Sequence, residues 1–175
     1  YYEAYESAIA AIAPKAAHAD PRVNPGISVK LSALDPRYEV AQRGRVETTV
    51  ADRLKALALK AKAANMQLNV DAEESERLEL SLDVVEQVLS DPALEGWDGF
   101  GVVIQAYAPR ALPVIDWLHA LAERLDRRVT CRLVKGAYWD AEIKRAQTLG
   151  LARFPVFTRK TATDVSFIEI GRAHV

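Results

Sequence analysis

A single cysteine, Cys131, among 175 residues rules out an internal disulfide, and no cluster of residues shows zinc-ligand spacing. No metal site is expected. Such a composition fits a reducing compartment, so the cytoplasm is the expected location. No window approaches the roughly 18 consecutive apolar residues of a membrane span, and the first residues carry Glu3 and Glu6 instead of a basic leader. Secretion and membrane insertion are therefore not expected. Excess charge of either sign is also missing: 23 basic against 24 acidic side chains give a net charge of −1. That balance gives no whole-chain attraction for nucleic acid or an anionic surface. Gly96, Gly99 and Gly101 miss the spacing of a dinucleotide fingerprint, and there is no phosphate-binding loop of the nucleotide-triphosphatase kind. No low-complexity linker or repeat marks a second domain.

The two ends read unusually. The sequence opens on Tyr1 and its only methionine is Met66, so a natural start is expected upstream. Tyr2, Tyr5, Ile9 and Ile12 recur at helical spacing and predict an amphipathic opening helix. At the other end Glu169 to Val175 (EIGRAHV) breaks the preceding pattern and reads as a non-native tail, leaving residues 1–168 as the domain proper.

What is present is a rhythm of short apolar runs and longer helical patterns. Gly26 to Leu31, Leu68 to Ala72, Phe100 to Ala106 and Val129 to Val134 read as buried parallel strands, with Pro155 to Thr158 as a weaker fifth. Between them lie three stripes at helical spacing. They are Val46, Val50, Leu54, Leu57 and Ala61; Leu78, Leu82, Val85 and Leu89; and Leu112, Ile115, Leu118, Ala122 and Leu125. Alternating β and α elements predict a parallel sheet, either doubly wound and open or closed into an eight-fold barrel. A complete barrel needs about 250 residues. Four or five strand-helix units behind a leading helix would thus be part of one.

Each strong strand carries one strongly polar residue near its C-terminal end: Lys30, Asp71, Gln105 and Arg132. Alternation puts Ser28, Asn69, Val103 and Thr130 on the same face as these, and Cys131 and Leu133 among the apolar residues of the opposite, helix-facing side. Polar groups turned inward at the C-terminal edge of a parallel sheet lie where ligands bind in such folds. The bland alternative is a Lys30–Asp71 ion pair that only seals the mouth. Cys131 is expected to be a small buried hydrophobe. After the fourth strand, RLVKGAYW places Gly136, Tyr138 and Trp139 at a helix start. The aromatics either wall a flat ring system above Arg132 or merely cover the rim.

At these residues the sequence resembles the proline dehydrogenase domain of bifunctional proline utilization flavoproteins. Five blocks carry the resemblance, in one order from about Tyr1 to Phe167: GISVKLSALDPRYE, NVDAEESERLELSLDVVE, GWDGFGVVIQAYAPRALPVIDWL, RLVKGAYWDAEIKRAQ and FPVFTRKTATDVSF. It implies a (βα)8 barrel that binds FAD, oxidises L-proline to Δ1-pyrroline-5-carboxylate and passes the electrons to quinone. By resemblance Lys30 helps hold the proline carboxylate and Asp71 lines the substrate site. Arg132 lies near the flavin N5, Leu133 and Tyr138 face substrate, and Trp139 packs on the cofactor. Gln105 and the Val134 backbone bond the flavin, and Thr158 and Lys160 belong to a further FAD-contacting block. Asp35 and Phe167 stand where the family often has histidine and tyrosine. The family's paired arginines for the substrate carboxylate, a further substrate tyrosine and much of its adenosine site lie outside this sequence.

The resemblance also implies a homo-oligomeric parent that touches the membrane only peripherally. Two further possibilities stay open: a barrel aldolase using Lys30 or Lys135 as a Schiff-base nucleophile, and a half barrel that is inactive on its own.

Overall fold

The computed structural model describes residues 1–173. Four parallel strands form one sheet in the order β1-β2-β3-β4, with β1 at Gly26–Val29, β2 at Gln67–Val70, β3 at Phe100–Gln105 and β4 at Thr130–Val134. Sequential order without reversal is what a barrel requires; a doubly wound sheet changes direction part-way. The fold is α/β, an arc of a (βα)8-type barrel.

The helices of ten residues or more are α1 (Tyr2–Ile12), α2 (Ala51–Ala63), α3 (Leu78–Leu89), α4 (Ala111–Leu125), α5 (Trp139–Thr148) and α6 (Lys160–Ala173). Among the described residues none is long and apolar enough to cross a membrane.

One core explains why the strands alternate. Val29, Leu68, Val70, Phe100, Val102 and Ile104 pack with Ile9, Leu54, Leu57, Val84, Val85, Ile115 and Leu118 in a single buried cluster. The stripe Val46, Val50, Leu54, Leu57 and Ala61 is fully buried. Its first steps are four residues long, wider than an ideal turn, and Val46–Val50 runs as a π-turn leading into α2. That local unwinding keeps both valines on the core. The third stripe is shifted: α4 buries Ala111, Val114, Ile115, Leu118 and Leu121, while Leu112 is exposed because it lies to one side of that face. After α3, Asp91 accepts a hydrogen bond from the Ala93 N–H, and Gly96 takes the left-handed turn.

Two expectations need correction. Pro155 to Thr158 does not form a strand: Pro155 has no N–H for a ladder, and the Phe157 N–H goes instead to the Tyr107 carbonyl at 2.7 Å. Cys131, paired with buried Val102, is itself exposed because β4 is an edge strand of the described sheet. The expected tail is helical through Ala173, as part of α6, and Ile170 joins the core; His174 and Val175 lie outside the described residues.

Candidate active site

Register brings the polar residues together. Ser28 pairs with Asn69, Asn69 with Gly101, and Gly101 with Thr130, so one inward layer crosses all four strands. Glycine at 101 leaves room for the Asn69 side chain, which a Cβ there would displace. One step nearer the C-terminal edge are Lys30, just after β1, Asp71, just after β2, and Val103 paired with Arg132. Arg132 Nη2 donates to Asp71 Oδ1 at 2.5 Å, reaching across β3. Asp71 thus takes Arg132 as its ion-pair partner, not Lys30 as the sealing alternative supposed. Both ends stay partly in water, with side-chain exposures of 47% for Arg132 and 21% for Asp71. The pair is open to a ligand.

Lys30 turns to Tyr138. Its Nζ lies 3.5 Å from the phenol oxygen and 5.9 Å from the ring centre. The Tyr138 hydroxyl contact, backed by the charges of Asp71 and Glu73, holds the Lys30 ammonium above its ordinary pKa. A lysine kept this way stays cationic at neutral pH. Its own N–H donates to Tyr5 Oη at 3.1 Å, which ties the strand end to α1.

The loops above the strands are joined by residues that sequence reasoning missed. Glu73 accepts from the Ser32 N–H at 3.0 Å and from the Ser32 hydroxyl, linking the loops after β1 and β2. Gln105 Nε2 donates to the Glu73 carbonyl at 3.0 Å, and its Oε1 accepts from the Ala137 N–H at 2.9 Å. Gln105 therefore spans the loops after β2 and β4, with one N–H of its amide still free for a ligand among these contacts. Separations of 32 to 41 residues leave no local signal for such partners.

Beside this edge is a cavity of about 400 Å³ lined by Tyr107, Lys135, Gly136, Trp139, Thr158, Lys160 and Thr163. Trp139 Nε1 donates to the Phe157 carbonyl at 2.8 Å, fixing the indole. Gly136 has φ of +138°, and a Cβ there would meet the Tyr107 ring at 2.3 Å, so backbone can pack on that ring only with glycine present. Asp164, also missed, bridges Lys135 at 2.6 Å and Lys160 at 2.8 Å. Those two lysines hold its carboxyl below the usual range. Two cations, two hydroxyls and two aromatic rings could receive a flat ring system that carries anionic groups.

Lys30, Asp71, Gln105, Arg132 and Tyr138 thus converge at the sheet edge, and Trp139, Thr158 and Lys160 at the cavity. Val134 ends β4 with its carbonyl accepting from the Ala106 N–H at 2.8 Å. Leu133 pairs with buried Ile104 and is partly buried against the core cluster, on the face opposite Arg132 by alternation.

The proline dehydrogenase family model matches residues 1–175. The chain belongs to the proline dehydrogenase family. It is 56% identical over 168 residues to the bifunctional protein PutA of Rhizobium meliloti, covering 96% of this chain and 14% of that protein. To PutA of Escherichia coli (strain K12) it is 52% identical over 172 residues, 98% of this chain and 13% of that one. This family member therefore spans about a seventh of those relatives. A crystal structure of a Bradyrhizobium japonicum proline utilization A variant superposes with a TM-score of 0.96 at 53% identity, over 99% of this chain and 18% of the other. Proline utilization A from Bdellovibrio bacteriovorus, inactivated by N-propargylglycine, matches at 0.89 and 27% identity, over 99% and 19%.

Proposed function

We propose that this chain forms the first part of the active site of a flavoenzyme that oxidises L-proline to Δ1-pyrroline-5-carboxylate, with FAD as cofactor and quinone as final acceptor. The observation that carries it is the convergence of two polar pairs, Arg132–Asp71 and Lys30–Tyr138, at one sheet edge. Family membership gives the coarser activity, proline oxidation.

The residues fit FAD. Lys135 and Lys160 suit its phosphates, Thr158 and Thr163 its hydroxyls, and Trp139 a face of its ring system. Bound there, FAD would take the hydride from the carbon beside the proline nitrogen. The chain's own side chains do the rest. Lys30, held cationic, attracts the substrate carboxylate. Asp71 is oriented by Arg132 and can hold the substrate nitrogen in place. Arg132 would offer a cation to negative charge building on the bound cofactor, a form of electrostatic stabilisation. Tyr138 raises the Lys30 pKa further through its hydroxyl and offers its ring face to the ammonium, and it would wall a pocket for a small ring.

The aldolase alternative needs a neutral lysine, whereas Lys30 is held as an ammonium and Lys135 is paired with Asp164. Cytoplasmic location, peripheral membrane contact and a homo-oligomeric whole belong to the same proposal. The test is expression of the complete reading frame: a yellow protein bleached by proline supports it. A colourless protein trapped by borohydride with a carbonyl substrate would replace it with the aldolase.

A further inference from the structure

We propose that Glu142 is a positioning residue that seats the Tyr138–Trp139 end of α5 against the loop after β2. The role of Tyr138 rests on the flavoenzyme assignment above; the rest is geometry. Glu142 is 2% exposed, and a carboxylate so far from water persists only where donors compensate it. Both of its oxygens are taken by one residue. The Ser75 N–H donates to Oε1 at 2.5 Å and the Ser75 hydroxyl to Oε2 at 2.6 Å.

On its own helix, the Glu142 N–H donates to the Tyr138 carbonyl at 2.9 Å, so the carboxylate sits one turn from Tyr138. The buried residues of α5 are Glu142 and Ala146. A helix with so little apolar face is seated by its polar contacts, and a neighbouring one, Arg145 to Glu76, points the same way. On the other side, Ser75 stands two residues after Glu73, which joins Ser32 and Gln105, and its carbonyl accepts from Arg110 Nη2 at 2.8 Å. Glu142 thus links the loop that carries Asp71 to the helix start that carries Tyr138, across 67 residues of sequence.

The test uses the complete protein with Glu142→Ala, Glu142→Gln and Ser75→Ala. Glu142→Ala should raise KM for proline by about tenfold or more with a smaller change in kcat, as expected for a misplaced binding group. Glu142→Gln, which keeps an acceptor for the Ser75 N–H, should recover most of the loss. Hydrogen exchange without proline should show residues 75–77 and 135–139 opening together in the Ala variant. An unchanged KM with no coupled opening overturns the proposal, as do equal losses in Gln and Ala. If Glu142→Ala does not fold, the same KM shift and coupled opening in Ser75→Ala decide. A wild-type protein that ignores proline sinks the flavoenzyme assignment, while the exchange result still judges Glu142.

Discussion

Arg132 and Asp71 each satisfy the other while both remain reachable from solvent, so removing either leaves a charge facing the site alone. In the complete protein, Asp71→Ala is expected to lower proline turnover on the order of 100-fold, the scale of losing one well-placed polar group. Arg132→Met should do the same and also weaken FAD retention. Steady-state kinetics and the flavin content after gel filtration check both, and near-normal turnover in both variants would mean that the pair lies away from the chemistry. These residues were legible because a charge in or just beyond an apolar strand is conspicuous, and alternation assigns its face. Glu73, Glu142 and Asp164 were not. They sit in polar loops and helices where a carboxylate is ordinary, and only the fold reveals the partner each one meets. For Leu133 alternation and the resemblance point to opposite sides, and in the structure the residue is partly buried against the core cluster.

Helices and strands were readable wherever an apolar stripe had to be buried, and less so where backbone pairing decided. The fifth run had the composition of a strand but began on a residue without an N–H, and its Phe157 N–H found a loop carbonyl. At the entry to α2, Asp35 does similar work from the loop after β1. Its buried carboxylate accepts from Arg45 at 2.8 Å and from the Arg37 N–H at 2.7 Å, with Arg53 at 4.0 Å. The Arg45 hydrogen bond, chiefly, holds its pKa below the ordinary value. A depressed folded-state pKa contributes stability that is present above the unfolded value and lost as pH falls through the folded one. The urea midpoint for flavin release from the complete protein should therefore fall as pH drops below about 4. Asp35→Asn should lower the neutral-pH midpoint and flatten that acid limb. A variant with the wild-type pH profile would show that this carboxylate does not clamp the loop to the helix.

At the scale of the whole molecule, the strand order made the choice that composition left open. Four strands in unbroken sequential order share one core and show no reversal point of a doubly wound sheet, and their superposition on proline utilization A makes them part of a barrel wall. The same geometry gives the described sheet two edges, β1 and β4, each with unpaired backbone groups able to template another strand. After β4 in sequence, Leu149, Leu151, Phe154, Val165 and Ile168 are all exposed. Apolar surface of that kind on a soluble polypeptide drives association. The isolated 175-residue polypeptide is accordingly expected to self-associate, with light scattering after gel filtration giving a mass above that of one chain. It should also show no proline-dependent dye reduction even with added FAD, since Lys30 and Arg132 would stand at an open wall instead of inside a closed lumen. A stable monomer that turned over proline would mean that these four strands suffice to build the whole site.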